Sequence, residues 1–150
     1  EIIIADLDDV EVPIKKRRTL EQIFQEADIV TLHIDYCLKN ENLIDEQLFT
    51  QTKKGIYFVN TAPGEIICEN SLITALDNKY VLAAHLDVLQ SENLDNTAVN
   101  HSMLSGYAEK NTNLIITPHI GGATHESTEK TELYVFQKYL DSLDANNDDI

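Results

Sequence analysis

The fold is decided by the stretch LIITPHIGG, which runs from Leu114 to Gly122. Its apolar start is typical of a buried strand, and its two glycines allow a tight turn after that strand. His119 stands between the strand and the glycines, so an imidazole that titrates near neutral pH is placed for proton transfer. A histidine after a strand also serves in structural roles, and the stretch alone leaves both interpretations open.

Upstream segments repeat this pattern of an apolar run that ends in small or polar residues. They are Ala27–Ile34, Phe58–Glu65 and Ala83–Val88. Segments with helical spacing of apolar residues lie between them. The alternation predicts an α/β fold, a Rossmann-like doubly wound parallel sheet with right-handed crossovers. The ligand crevice of such a sheet lies at the carboxyl ends of its strands.

The same patterns give approximate bounds for the elements. We predict strands over 2–6, 29–34, 56–61, 81–88 and 114–117. We predict helices over 20–26, with Thr19 as the cap, over 69–77 and over about 125–143, and a short helix within 43–52. The last helix places Leu133, Phe136, Leu140 and Leu143 on one stripe. Residues 89–113 are polar and irregular, which suits a loop around a cleft, and the tail 144–150 is expected to fray.

The composition favours one soluble domain with an acidic surface. The chain has 150 residues, 43% of them hydrophobic, and a formal net charge of −15. This charge argues against a nucleic-acid partner, and no apolar run approaches the length of a membrane span. Cys37 and Cys68 are the two cysteines, and they suggest free thiols in a reducing compartment, the cytoplasm. We expect no metal site.

In their order, these segments resemble the signature segments of the D-isomer-specific 2-hydroxyacid dehydrogenases, including the phosphoglycerate dehydrogenase branch. The likeness covers nearly the whole chain and includes the turn Lys53-Lys54-Gly55 before a strand. It implies NAD as the cofactor and hydride transfer between the nicotinamide and a small 2-hydroxy or 2-keto acid. It also implies a homodimer, and it gives a mild preference for phosphoglycerate as the substrate.

The resemblance assigns two catalytic residues. His119 resembles the family's acid/base, which exchanges a proton with the substrate oxygen. Glu92 resembles its carboxylate partner, which would hold the other ring nitrogen and raise the pKa of the imidazole. Without the resemblance, Glu92 would be interpreted as a surface acid of a loop.

The resemblance also assigns a set of cofactor-binding residues. They are Asp6, His33, Ile34, Thr61, Ala62, Asp87, His119 and Gly121. Asp6 would accept hydrogen bonds from the adenosine ribose and so favour NAD over NADP, although it could also be an ordinary turn residue. Asp87 would accept from the nicotinamide carboxamide. Gly121 permits a close backbone approach, or simply a turn.

Two positions depart from the family pattern. Pro63 stands where the family has an arginine that clamps the carboxylate of the keto acid, and Asp35 stands where it has a proline. Arginine offers paired charged donors, and proline offers none. A second function therefore stays open beside the dehydrogenase: an NAD(H)-binding relic or regulatory module whose turnover is impaired.

The family's glycine-rich phosphate loop, G-x-G-x-x-G, does not occur in the sequence. We therefore expect 1–122 to be a partial NAD-binding domain without its first strand and glycine loop. We expect 123–150 to be a helix and tail that return toward a substrate domain outside this chain. In the order 3-2-1-4-5-6, strand 1 joins the two half-sheets. The fragment should thus be poorly stable unless another segment supplies that strand.

Overall fold

The structure is a computed structural model that describes residues 1–6, 16–53, 55–90, 92 and 102–145. It divides into two compact units, Glu1–Pro118 and His119–Ile150. The predicted tail beyond residue 145 and the side chain of Leu143 lie outside the described residues.

The first unit is built on a parallel sheet of four strands in the order β1-β2-β3-β4. The strands are β1 (Ile29–Leu32), β2 (Ile56–Asn60), β3 (Val81–Leu86) and β4 (Leu114–Ile116). Their last residues pair in register, because Leu32 lies opposite Asn60, Asn60 opposite Leu86, and Leu86 opposite Ile116. The prediction of a Rossmann-like parallel α/β fold is confirmed.

Four α-helices accompany this sheet, together with 3-10 turns at Leu38–Asn40 and Gly64–Ile66. The helices are α1 (Leu20–Glu26), α2 (Glu46–Thr50), α3 (Glu69–Asp77) and α4 (Met103–Ala108). Thr19 caps α1 as predicted, in a capping box with Gln22. Asp45 caps α2 by accepting from the Leu48 N–H, and this helix lies within the predicted range 43–52.

The core lies on one face of the sheet. Alternate strand residues such as Val30, Phe58 and Ala84 are buried together with apolar residues of all four helices. Phe49 of α2 packs edge-to-face on Phe24 and on Phe58, with ring centroids 5.8 and 5.5 Å apart. On the opposite face the side chains are exposed, and they include Ile29, Tyr57 and Ile115.

Two sequence predictions are wrong. A buried strand is predicted over residues 2–6, but Ile2 is 70% exposed, and among the described residues the segment pairs through a single bridge, between Ile4 and Arg17. Residues 89–113 were predicted as irregular, but they contain α4. Ser102 caps α4 by accepting from the N–H of buried Leu104. The Ser102 hydroxyl in turn donates to Glu69 of α3, at 3.0 and 3.2 Å from its two carboxylate oxygens.

A cleft of about 930 Å³ runs along the outer edge of β1. Residues 1–6 line it together with the whole of β1, and many of the lining side chains are aliphatic. We call it the β1-edge cleft. The poor stability expected for a domain without its first strand stays a prediction.

The second unit contains α5 (His125–Ala145), and its predicted start is confirmed. Thr124 caps it, because its hydroxyl oxygen accepts from the Ser127 N–H at 3.1 Å. The predicted apolar stripe is exposed at its described members Leu133, Phe136 and Leu140. Among the described residues, no helix combines the length and the apolar character needed to cross a bilayer.

Replacing Gly64 by alanine should destabilise the first unit. A Cβ at this position would lie 2.2 Å from the Leu89 carbonyl carbon and 2.3 Å from the Gln90 nitrogen, both of them backbone atoms. We expect Gly64→Ala to lower the free energy of unfolding by about 3 kcal/mol, as overpacking does. The matched control is Gly106→Ala in α4, where a Cβ meets nothing within 4 Å. It should be neutral or raise stability by up to about 1 kcal/mol. Urea denaturation measures both, and equal effects would contradict the packing of Gly64 on residues 89–90.

Hydrogen exchange should reveal the open edge of β1. The Tyr57 N–H donates to the Asp28 carbonyl, so alternation along a parallel ladder turns the N–H groups of Val30 and Leu32 toward β2. Those of Ile29 and Thr31 then face the β1-edge cleft. In this chain we expect the latter two amides to exchange roughly 100-fold faster than the former two. Equal protection of all four would mean that another strand pairs along this edge.

Candidate active site

The in-register strand ends bring four polar residues to one edge of the sheet. They are the residues that directly follow β1, β2, β3 and β4 in turn: His33, Thr61, Asp87 and Thr117. The Asp87 N–H donates to the Asn60 carbonyl at 2.9 Å, and the Thr117 N–H donates to the Leu86 carbonyl at 2.9 Å. We call these four residues the strand-end row. Parallel α/β sheets bind their ligands at this edge.

Asp87 is the buried acid of the row, with 6% of its surface exposed. A buried carboxylate is costly unless hydrogen-bond donors satisfy it. The Thr117 hydroxyl supplies one, because it donates to Oδ1 of Asp87 in a short contact. The arrangement keeps an acceptor group at the sheet edge, where a ligand amide could reach it.

Asn60, the last residue of β2, shapes the turn that follows the strand. It is fully buried, its Nδ2 donates to the Ala62 carbonyl at 2.8 Å, and its Oδ1 accepts from the Ala62 N–H at 3.1 Å. This double contact fixes the backbone at Thr61 and Ala62, the two residues that the resemblance places beside the nicotinamide. Sequence reasoning did not single out Asn60 as a site residue. The sequence feature that could have identified it is an amide side chain at the end of an apolar strand.

His33 is held by two hydroxyls. Its Nδ1 lies 3.2 Å from the Thr61 hydroxyl oxygen, and its Nε2 lies 2.9 Å from that of Thr31. Thr61 donates its own proton to the Leu32 carbonyl at 3.3 Å, so Nδ1 of His33 is the donor in its contact with Thr61.

Three predicted cofactor residues line the β1-edge cleft: Asp6, His33 and Ile34. Asp6 is exposed, and Ile34 packs partly against the core. The structure therefore brings these three residues to one cleft, and it places Thr61, Ala62 and Asp87 at the ends of β2 and β3. The roles of all six in cofactor binding stay predictions.

The catalytic pair lies in two different units. Glu92 is half-buried in the first unit, whereas His119 and Gly121 are exposed in the second. His119 has a left-handed backbone with φ of 53°, a conformation that is uncommon outside glycine. The pairing of His119 with Glu92, and the role of Gly121, stay predictions.

Pro63 is half-buried and precedes the 3-10 turn that begins at Gly64. Its φ of −52° and ψ of 139° are open to any residue. Its ring presents no hydrogen-bond donor beside the row. In the described ranges, no group of three or more His, Cys, Asp and Glu side chains could hold a metal ion.

A parallel α/β sheet with polar residues along its carboxyl edge is the arrangement in which nucleotide-binding domains of the Rossmann class hold their ligands. A family model narrows this class. Residues 4–121 match the D-isomer-specific 2-hydroxyacid dehydrogenase NAD-binding domain. The chain belongs to this family, and NAD is the cofactor of the domain.

Curated relatives agree with this assignment. The chain is 34% identical over 124 residues to D-3-phosphoglycerate dehydrogenase of Bacillus subtilis, a match that covers 82% of the chain and 22% of the relative. It is 37% identical over 117 residues to (S)-sulfolactate dehydrogenase of Chromohalobacter salexigens, covering 78% and 35%. The match thus spans 22% of the length of the first relative and 35% of the length of the second.

Solved structures share the fold. A D-isomer-specific 2-hydroxyacid dehydrogenase from Lactobacillus delbrueckii ssp. bulgaricus, in its NAD-complexed form, has a TM-score of 0.73 and 28% identity, covering 85% of this chain and 41% of that one. D-2-hydroxyisocaproate dehydrogenase has a TM-score of 0.77 over 95% of this chain and 46% of that one, and its 22% identity shows a common fold alone.

Replacing Asn60 by alanine should destabilise the turn after β2. The change leaves a cavity and strips the Ala62 N–H and carbonyl of their buried partner. We expect a loss of about 2–4 kcal/mol in the free energy of unfolding. The control is Gln25→Ala, which removes an exposed amide contact with Gln51 and should cost less than about 0.5 kcal/mol. If both variants unfold at the same denaturant concentration, Asn60 does not organise the turn.

Proposed function

We propose that this chain is the cofactor-binding part of an NAD-dependent D-2-hydroxyacid dehydrogenase. The reaction would move a hydride between the nicotinamide and C2 of a 2-hydroxy or 2-keto acid. The observation that supports this most is Asp87, a buried carboxylate held by Thr117 at the carboxyl edge of a parallel sheet. The family assignment and the relatives, all of them hydroxyacid dehydrogenases or reductases by name, support the same reaction.

The residues present fit an NAD molecule at this edge. Asp87 would accept from the carboxamide of the nicotinamide, and the fixed turn at Thr61 and Ala62 would lie beside the ring. Asp6 would accept from the adenosine ribose, while His33 and Ile34 would lie near the ribose and diphosphate.

NAD, when bound, supplies the hydride acceptor in oxidation, and its reduced form supplies the donor in reduction. The chain's own contribution is the proton. His119 as imidazolium would donate its proton to the keto oxygen and end as neutral imidazole, and in the reverse direction it would remove the hydroxyl proton. Glu92, in contact with the other ring nitrogen, would favour the imidazolium and orient it.

Pro63 favours a second candidate, an NAD(H)-binding module with impaired turnover. A substrate carboxylate left without its charged partner in a desolvated site costs about 3–5 kcal/mol. Each 1.36 kcal/mol is a factor of ten in rate. The chain would then bind NADH normally and reduce 2-keto acids slowly.

The resemblance also supports a homodimer in the cytoplasm that acts on a free small molecule, without a nucleic-acid or membrane partner. Of the candidate substrates, phosphoglycerate has the support of the first of the two relatives above. Light scattering of the protein tests the oligomeric state independently of activity.

Pro63→Arg should separate the two candidates. The backbone at position 63 accepts arginine without strain, so the variant should fold. We expect it to raise kcat/KM for 2-keto acid reduction by at least about 100-fold, because it restores a paired donor for the carboxylate. Pro63→Gln is the control of similar length without charge, and it should change kcat/KM little.

NADH affinity, measured by fluorescence, should be the same in all three proteins. If NADH binds and arginine raises turnover, the chain is a dehydrogenase limited at its carboxylate clamp. If NADH binds but arginine has no effect, position 63 is not the clamp in this protein. Failure of the wild type to bind NADH would contradict the proposed function itself.

A further inference from the structure

One hydrogen-bond chain reaches Asp87 from the exposed face of the sheet. Nε2 of His85, on β3, lies 3.1 Å from the Thr117 hydroxyl oxygen. The Thr117 hydroxyl also contacts Oδ1 of Asp87. The ring of His85 is exposed on the face opposite the core.

Counting the donors and acceptors assigns the protons among His85, Thr117 and Asp87. The Thr117 hydroxyl has one proton and two lone pairs, and an ionised carboxylate only accepts. The proton therefore goes to Asp87, and Thr117 accepts from His85. His85 must carry its proton on Nε2, which both the Nε2–H tautomer and the imidazolium do. The contact excludes the Nδ1–H tautomer.

In the strand register His85 lies between two aliphatic residues, Val59 on β2 and Ile115 on β4. The hydrogen bond that the described residues give its ring is the one to Thr117. A threonine hydroxyl rotates freely unless its partners fix it, and a donor on one side with a carboxylate on the other fixes it completely.

We propose that His85 is a positioning residue, which locks the Thr117 hydroxyl onto Asp87 and so holds the carboxylate ready for the nicotinamide carboxamide. His85 would act through Thr117 without touching the cofactor. The proposal rests on the proposed function, because it deepens the role of Asp87 in NAD(H) binding. It predicts an effect on the nicotinamide half of the cofactor alone.

The hydrogen-bond chain can be tested without any ligand. Nitrogen-15 chemical shifts of the histidine side chains, recorded at a pH where His85 is neutral, report which ring nitrogen carries the proton. We expect His85 to be the Nε2–H tautomer in the wild type and in Thr117→Ser, which keeps the hydroxyl. A neutral His85 protonated on Nδ1 in the wild type would overturn the proposal.

Binding measurements test the consequence. Calorimetry on the full gene product measures its affinity for NADH and for ADP-ribose, which lacks the nicotinamide. We expect His85→Leu to weaken NADH about 3- to 10-fold, and Thr117→Val to weaken it about 10- to 100-fold, as loss of a neutral and of a charge-assisted hydrogen bond would. ADP-ribose affinity should stay within about twofold of the wild type in both variants. His85→Gln retains an N–H donor of similar reach and should recover most of the NADH affinity.

The outcomes separate the positioning role of His85 from the proposed function in NAD(H) binding. Equal weakening of NADH and ADP-ribose by His85→Leu would mean a general structural role, and it would overturn the positioning role while leaving the proposed function intact. Unchanged NADH affinity in His85→Leu would overturn it as well. If the wild type binds neither ligand, the proposed function fails and the positioning role fails with it, even where the His85 tautomer is as expected.

Discussion

The candidate site depends on the register of one parallel ladder. Because the last residues of β1 to β4 lie opposite one another, the residue after each strand emerges at the same edge. In a parallel sheet a shift of one residue would turn each side chain to the other face. Burial of alternate strand residues against helices on one face therefore fixes the row of polar residues at the carboxyl edge as well as the core.

Much of this fold could be predicted from the sequence, because long apolar runs and helix caps are local signals. Thr19 and the span of α3 are examples. The helix α4 was missed because it is short and contains Gly106, and it is stabilised by tertiary contacts such as burial of Leu104. Residues 2–6 have the side chains of a strand, but in the described part of the chain they pair through a single bridge, between Ile4 and Arg17, which leaves Ile2 exposed.

The site was predicted less completely, for a physical reason. Asp87 is conspicuous in sequence because an acid directly after an apolar run is unusual. His85 and Thr117 meet through a contact between β3 and the end of β4 that only the register creates. Asn60 acts locally, on Ala62 two residues further on, but the apolar pattern around it does not reveal the turn that it shapes. His85 lies two residues before Asp87 on the same strand, yet its connection to that carboxylate passes through Thr117 on another part of the chain.

The turn at Thr61 and Ala62, together with Asp87 and Thr117, would form the nicotinamide side of the NAD site. A titration of the nitrogen-15-labelled protein with NADH and, separately, with ADP-ribose, followed by amide chemical shifts, tests this directly. We expect NADH to shift the amides of Thr61, Ala62, Asp87 and Thr117, and ADP-ribose to leave these four largely unmoved while shifting Asp6 and His33. NADH-induced shifts confined to other parts of the chain, with these four amides unmoved, would contradict it.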